Sequence, residues 1–138
     1  MATWQEYHRE ARRFWDVARA VDGPGYHSQA VSNAVHAVIA ANDALCLFRI
    51  GERAQGDSHA EAAAALRRAY QGTALEGQVR QRIRQLTDVL EQESPSQYYG
   101  KQVTRDTAAR VLKQAERFLD WVRDTLPQPE SKQPDAGS

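Results

Sequence analysis

Polar residues within an otherwise apolar stretch are the first candidates for chemistry in this sequence. From Tyr26 to Phe48 the only formally charged residue is Asp43. On a helix, one sector of about 100° would collect five polar side chains: Gln29, Ser32, Asn33, His36 and Asp43. Buried polar groups need hydrogen-bond partners, and most find them structurally, across a two-fold interface or on neighbouring helices. The alternative is that Asn33, His36 and Asp43 line a pocket for a nucleotide or RNA.

A cluster of arginines is the second candidate. Residues 67–84 contain one acidic residue, Glu76, and five arginines: Arg67, Arg68, Arg80, Arg82 and Arg84. Arg80 and Arg84, four residues apart, would share one helix face and could contact phosphate groups. A solvated helix face is the alternative interpretation. Both stay open, because three acidic residues soon restore neutrality: Asp88, Glu91 and Glu93.

Hydrophobic spacing predicts five helices that must position these residues, at about 3–21, 26–50, 58–70, 75–92 and 104–126. Gly51 is suited to end the second helix, and Ser58 with Glu61 forms a capping-box pattern at the start of the third. The connections are short, so neighbouring helices should pack antiparallel. The predicted fold class is all-α, an up-and-down bundle of four to five helices.

The second predicted helix has too few charges for an ordinary surface helix. We therefore expect it to be buried on most sides, either in the centre of the bundle or against a second copy of the chain. A homodimer through this helix is the predicted assembly, because the helix has more apolar surface than one five-helix bundle readily covers.

Composition limits the remaining possibilities. The length of 138 residues favours one domain, predicted over 1–126, and the Pro-, Gln- and Ser-rich segment 127–138 is expected to be a disordered tail. The net charge of +0 argues against a generally basic nucleic-acid coat. Cys46 is the only cysteine, and the four histidines form no i,i+4 pair, so neither a metal nor a cofactor is expected. With no recognisable signal and no apolar stretch judged long enough to span a bilayer, we expect a cytoplasmic protein without membrane contact.

Two segments resemble a known family. They are Ser32-Asn33-Ala34-Val35-His36-Ala37 and the loop Gly51-Glu52-Arg53-Ala54-Gln55-Gly56-Asp57-Ser58-His59-Ala60-Glu61. Together they resemble the HEPN superfamily, specifically stand-alone bacterial members of the actinobacterial type. The likeness extends from about Phe14 to Leu126.

The resemblance implies a bundle of four or five helices, usually dimeric, that binds nucleotide or RNA. Some family members act beside a small nucleotidyltransferase as the regulated member of a toxin–antitoxin or defence pair. Others are metal-independent endoribonucleases. A purely structural dimeric interaction module is a third possibility.

The resemblance also singles out Arg53 and His59. Nuclease members carry an arginine with a histidine some four to six positions further on, and here five residues separate the two. Such a histidine can move the proton of a ribose 2′-hydroxyl, and the arginine can stabilise charge on the phosphate. The sequence departs from that pattern at Ala54, usually polar, and at Gly56, which predicts a helix break between the pair. Arg53 would then lie in a loop and His59 would open the third helix, which favours binding over catalysis.

Overall fold

The computed structural model describes residues 2–56, 58–92 and 103–128. Within them the chain forms five helices: α1 (Trp4–Val21), α2 (His27–Ile50), α3 (His59–Tyr70), α4 (Glu76–Leu90) and α5 (Arg105–Thr125). The all-α helical bundle is confirmed, and each helix begins and ends within two residues of its predicted limits. Most of the predicted tail, from residue 129 onward, lies outside the described residues.

Local capping interactions explain where the helices begin and end. The Ser58 hydroxyl accepts a hydrogen bond from the Glu61 backbone N–H at 3.0 Å, and the Glu61 carboxylate accepts one from the Ser58 N–H. This is the predicted capping box. Thr3 forms a second one at the start of α1, and Thr104 caps α5 through the Thr107 N–H. At the end of α2, Gly51 adopts a left-handed φ of 71°.

Helix α2 occupies the centre of the bundle. It packs against all four other helices, and most of its residues from Ala30 to Cys46 are buried. By length and composition alone α2 could cross a membrane, so the expectation that no stretch would qualify is wrong on that measure. However, 67% of the qualifying window is buried inside the bundle, as expected of a core helix. Its near-absence of charge follows from this central position.

The direction of α3 corrects one part of the predicted packing. Helices α1 and α2 are antiparallel as expected, with contacts between Trp4 and Phe48 and between Phe14 and His36. By contrast, Asn42 of α2 binds the backbone of Ala62, and Arg49 binds that of Ala69. Residue numbers rise together along both helices, so α3 runs in the same direction as α2. The connection 51–58 must therefore return alongside α2 before α3 begins.

Candidate functional site

A cleft of about 340 Å³ lies where the returning connection passes the middle of α2. Helix α2, the connection, the start of α3 and the end of α4 all contribute to its walls. Its lining residues are His36, Ile39, Asn42, Asp43, Arg53, Ala54, Gly56, Ser58, Ala62 and Leu90. Its volume is at the lower end of the range for small-molecule sites, about 300–1,000 Å³. The cleft thus brings residues of a central helix and of a loop into one site.

An ion pair joins the two sides of this cleft. The Arg53 guanidinium lies 3.6 Å from the Asp43 carboxylate, and the Ala54 backbone N–H also favours the charged form of that carboxylate. Burial raises the pKa of Asp43, and the neighbouring Arg53 offsets part of that increase. Only 11% of the Asp43 side chain is exposed, whereas half of the Arg53 side chain is accessible. Arg53 is thus the part of the pair that an incoming anion can reach.

A ring from α1 supports the arginine from another direction. The Arg53 guanidinium lies over the Tyr7 ring, 5.2 Å from its centroid, in cation–π geometry. Two glycines in the connection, Gly51 and Gly56, have positive φ values of 71° and 77°. These left-handed conformations, which suit glycine, let the chain reverse and return along α2. The position of Arg53 is therefore set by contacts with α1, α2 and its own loop.

Asn42 contributes the most deeply buried polar group of the cleft. It is 1% exposed, and its side-chain nitrogen donates to the Ala62 carbonyl at 3.2 Å. Its oxygen, Oδ1, accepts no hydrogen bond from the residues that the structure describes. A buried acceptor left without a donor is costly, and such groups often mark functional positions.

Another part of the cleft lining is less polar. The exposed His36 ring lies 5.2 Å from that of Phe14, centroid to centroid, with the planes tilted by 32°. Ile39 and Leu90 add aliphatic surface next to it. Flat and apolar surfaces of this kind can pack against an aromatic ligand. The cleft therefore combines one exposed cation, buried acceptors and an apolar wall.

The cleft contains three of the seven residues singled out from the sequence, namely His36, Asp43 and Arg53. Asn33 lies about one turn before His36, half-buried, and its amide donates to the backbone carbonyl of Gln29 in its own helix. His59 is the first residue of α3, as predicted, and is partly buried, but it does not line this cleft.

Arg80 and Arg84 are exposed on α4, the helix whose last residue, Leu90, lines the cleft. At 1.5 Å per residue they lie about 15 Å and about 9 Å along the helix from Leu90. They form a separate surface.

Sequence reasoning missed two residues of the site. Asn42 had one visible signal, a second polar residue beside Asp43 in a stretch that otherwise avoids charge. Tyr7 had none, because its role depends on the packing of α1 against the α2–α3 connection.

The described residues include no group of three or more His, Cys, Asp or Glu side chains that could hold a metal ion. Burial raises the pKa of the Cys46 thiol to about 12, so this cysteine is protonated at neutral pH and is a poor nucleophile. The cleft residues can form hydrogen bonds, and the accessible Arg53 can bind an anion.

The chain matches the model of a known protein family. The HEPN domain model matches residues 4–125, which includes all five helices and the cleft. The chain belongs to the HEPN family. A comparison with curated proteins found no match. Membership suggests a function related to nucleotide or RNA, and the fold is that of a HEPN helical bundle.

Proposed function

We propose that this HEPN protein binds RNA or a nucleotide, with Arg53 holding a phosphate at the mouth of the cleft. The observation that carries the proposal is the convergence of Arg53, from the connection after α2, with Asp43 and His36 of α2 on one cleft. Guanidinium groups form strong charge-assisted hydrogen bonds to phosphate oxygens. A phosphate would bind the accessible side of Arg53, which Asp43 leaves open. This HEPN cleft therefore has the parts of an anion-binding site with room for an attached ring.

Binding is favoured over cleavage by the position of His59. General acid–base catalysis requires the imidazole to reach the same phosphodiester that Arg53 contacts. His59 does not line the cleft, although its neighbour Ser58 does. Metal-independent endoribonuclease activity by Arg53 and His59 remains the alternative, supported by their spacing in the sequence.

Binding is tested by titrating a fluorescent single-stranded RNA into wild type, Arg53→Met and Arg67→Met. Arg67 is an exposed arginine of α3 that does not line the cleft, so its replacement is a charge-matched control. We expect Arg53→Met to weaken binding about 10-fold or more, and Arg67→Met to change it less than twofold. Equal effects of both variants would refute a specific role for Arg53.

Cleavage is tested on the same RNA in the presence of a chelator, with wild type and His59→Ala compared. Binding without cleavage by wild type is the expected result. Cleavage that His59→Ala abolishes, with an unchanged melting temperature, would replace the binding proposal by the nuclease alternative. Acid–base groups typically contribute about 10²- to 10⁴-fold, so the loss would be unmistakable.

We propose that two copies associate through the side of α2 next to α1. Val17 of α1 is 45% exposed and lies one turn from Phe14, which contacts His36 of α2, and Gln29 is exposed on α2. The family commonly dimerises, which supports this assembly. Light scattering at micromolar concentration should give about twice the chain mass of 15.5 kDa. A Val17→Glu variant should restore the monomer mass, and a wild-type mass of one chain would refute the proposal.

A role as the regulated member of a toxin–antitoxin or defence pair is supported by family membership alone. Its partner would be a small nucleotidyltransferase. The test is expression of the chain in a bacterial host with and without such a neighbouring gene. Growth arrest relieved by the neighbour supports the proposal, and growth that neither gene affects refutes it.

A further inference from the structure

The inner end of the cleft has an excess of hydrogen-bond acceptors. The Asp43 carboxylate offers about four lone-pair positions, and its described contacts, with Arg53 at 3.6 Å and with the Ala54 N–H, do not occupy all of them. The Asn42 oxygen, which is buried beneath the cleft surface, accepts from none of the residues that the structure describes and is out of a ligand's reach. Its amide orientation is fixed, because the nitrogen donates to the Ala62 carbonyl.

The remaining polar groups do not supply matching donors. The Ser58 hydroxyl is engaged in the capping box, donating to the Glu61 carboxylate at 3.1 Å. The Arg53 guanidinium lies at the mouth, where it is half exposed. A ligand that fills the inner end must therefore bring its own donors, placed next to each other on one edge.

Guanine fits that requirement best among the nucleobases. Its Watson–Crick edge presents two adjacent donors, the N1–H and the 2-amino group, which a carboxylate can accept together. Adenine and cytosine each have one amino donor but would direct an unprotonated ring nitrogen at the carboxylate. Uracil has a single donor, its N3–H, between two carbonyl oxygens. Single-stranded bases are commonly read on this edge while they pack against flat side chains, and His36 with Ile39 provides such a wall.

We infer that the cleft selects guanine, with the Asp43 carboxylate accepting from its Watson–Crick edge and Arg53 holding the attached phosphate. This inference rests on the proposed nucleotide binding and adds base selectivity to it. Asp43 then has two functions: it holds Arg53 in the free protein, and it reads the base in the complex.

The test uses four ribonucleoside 5′-monophosphates, GMP, IMP, AMP and UMP, titrated into ¹⁵N-labelled wild-type protein at pH 7.5 and followed by NMR. GMP and IMP differ only in the 2-amino group. We expect GMP to bind about fivefold more tightly than IMP, because one hydrogen bond is lost. AMP should bind at least about 10-fold more weakly than GMP, since adenine keeps one donor, its 6-amino group, but places the N1 acceptor against the carboxylate.

A variant then assigns the selectivity. Asp43→Asn replaces two acceptors by one acceptor and one donor, so it should lower the GMP/AMP preference to below about twofold. The melting temperature of Asp43→Asn shows whether the variant is folded. Its affinity for UMP shows whether phosphate binding is intact. The GMP/IMP comparison needs no variant, so misfolding of Asp43→Asn would leave that test intact.

The outcomes separate this inference from the proposal beneath it. If all four nucleotides bind alike and Arg53→Met weakens them all, nucleotide binding stands and guanine selection is refuted. If neither the nucleotides nor the RNA bind, both fail. A preference for GMP that Asp43→Asn leaves unchanged also overturns the inference.

Discussion

Replacing Arg53 by methionine tests whether the ion pair organises the cleft. At 3.6 Å, two unit charges attract by about 4–5 kcal/mol with an effective dielectric constant of about 20. Half of the Arg53 side chain is accessible, so solvent screening reduces the measurable value to about 1–2 kcal/mol. Loss of the contact with Tyr7 adds about 0.5 kcal/mol. We expect Arg53→Met to lower the free energy of unfolding at pH 7.5 by about 2 kcal/mol.

The pH dependence makes this prediction specific to Asp43. Arg53 lowers the pKa of the buried carboxyl, so its removal leaves that pKa still further above the ordinary value. In Arg53→Met the folded state then binds a proton at Asp43 more readily than the unfolded state does. The free energy of unfolding of this variant therefore recovers as the pH falls through the Asp43 pKa. The deficit of Arg53→Met relative to wild type should therefore be larger at pH 7.5 than at pH 4.5.

Urea unfolding at pH 7.5 and pH 4.5 measures the loss of unfolding free energy in Arg53→Met relative to wild type. Arg67→Met is the charge-matched control. A double variant, Asp43→Asn with Arg53→Met, should be more stable at pH 7.5 than Arg53→Met alone, since it removes the uncompensated charge. A deficit that is equal at the two pH values, or a double variant less stable than Arg53→Met, would refute the reasoning.

Three further predictions concern the loop, a histidine and the arginine surface. Gly56→Ala should lower the free energy of unfolding, measured in urea, by about 2–3 kcal/mol. The backbone φ at this position is +77°, and the new Cβ would lie 2.5 Å from the Glu61 carboxylate of the capping box. A loss below about 0.5 kcal/mol would contradict this prediction. Burial and two nearby arginines lower the pKa of His8, so protonation of this residue below pH 6.5 favours the unfolded state. His8→Gln removes this effect and should therefore lose less unfolding free energy than wild type between pH 7.5 and pH 5.5. Equal losses in the two proteins would contradict the prediction. If the exposed face of α4 contacts RNA, replacing Arg80 and Arg84 by glutamine should reduce the slope of log K against log salt by about 2, whereas an unchanged slope identifies a solvated face.

The sequence by itself determined the local structure of this protein. Helix limits follow from neighbouring residues, so the capping box at Ser58, the left-handed end at Gly51 and the opening of α3 at His59 could all be predicted. The same local signals correctly placed Arg53 in a loop. The family resemblance, confirmed over residues 4–125, added the bundle as a whole.

Only the tertiary structure decided what the loop residues contact. Short connections normally join antiparallel helices, but the eight residues 51–58 can span about 26 Å when extended, enough to return along α2. That return makes α3 parallel to α2 and brings Arg53 to Asp43, a contact between residues ten positions apart. The Tyr7 contact and the burial of Asn42 likewise depend on packing between helices, which hydrophobic periodicity cannot specify because it defines the buried face of a helix but not its neighbour.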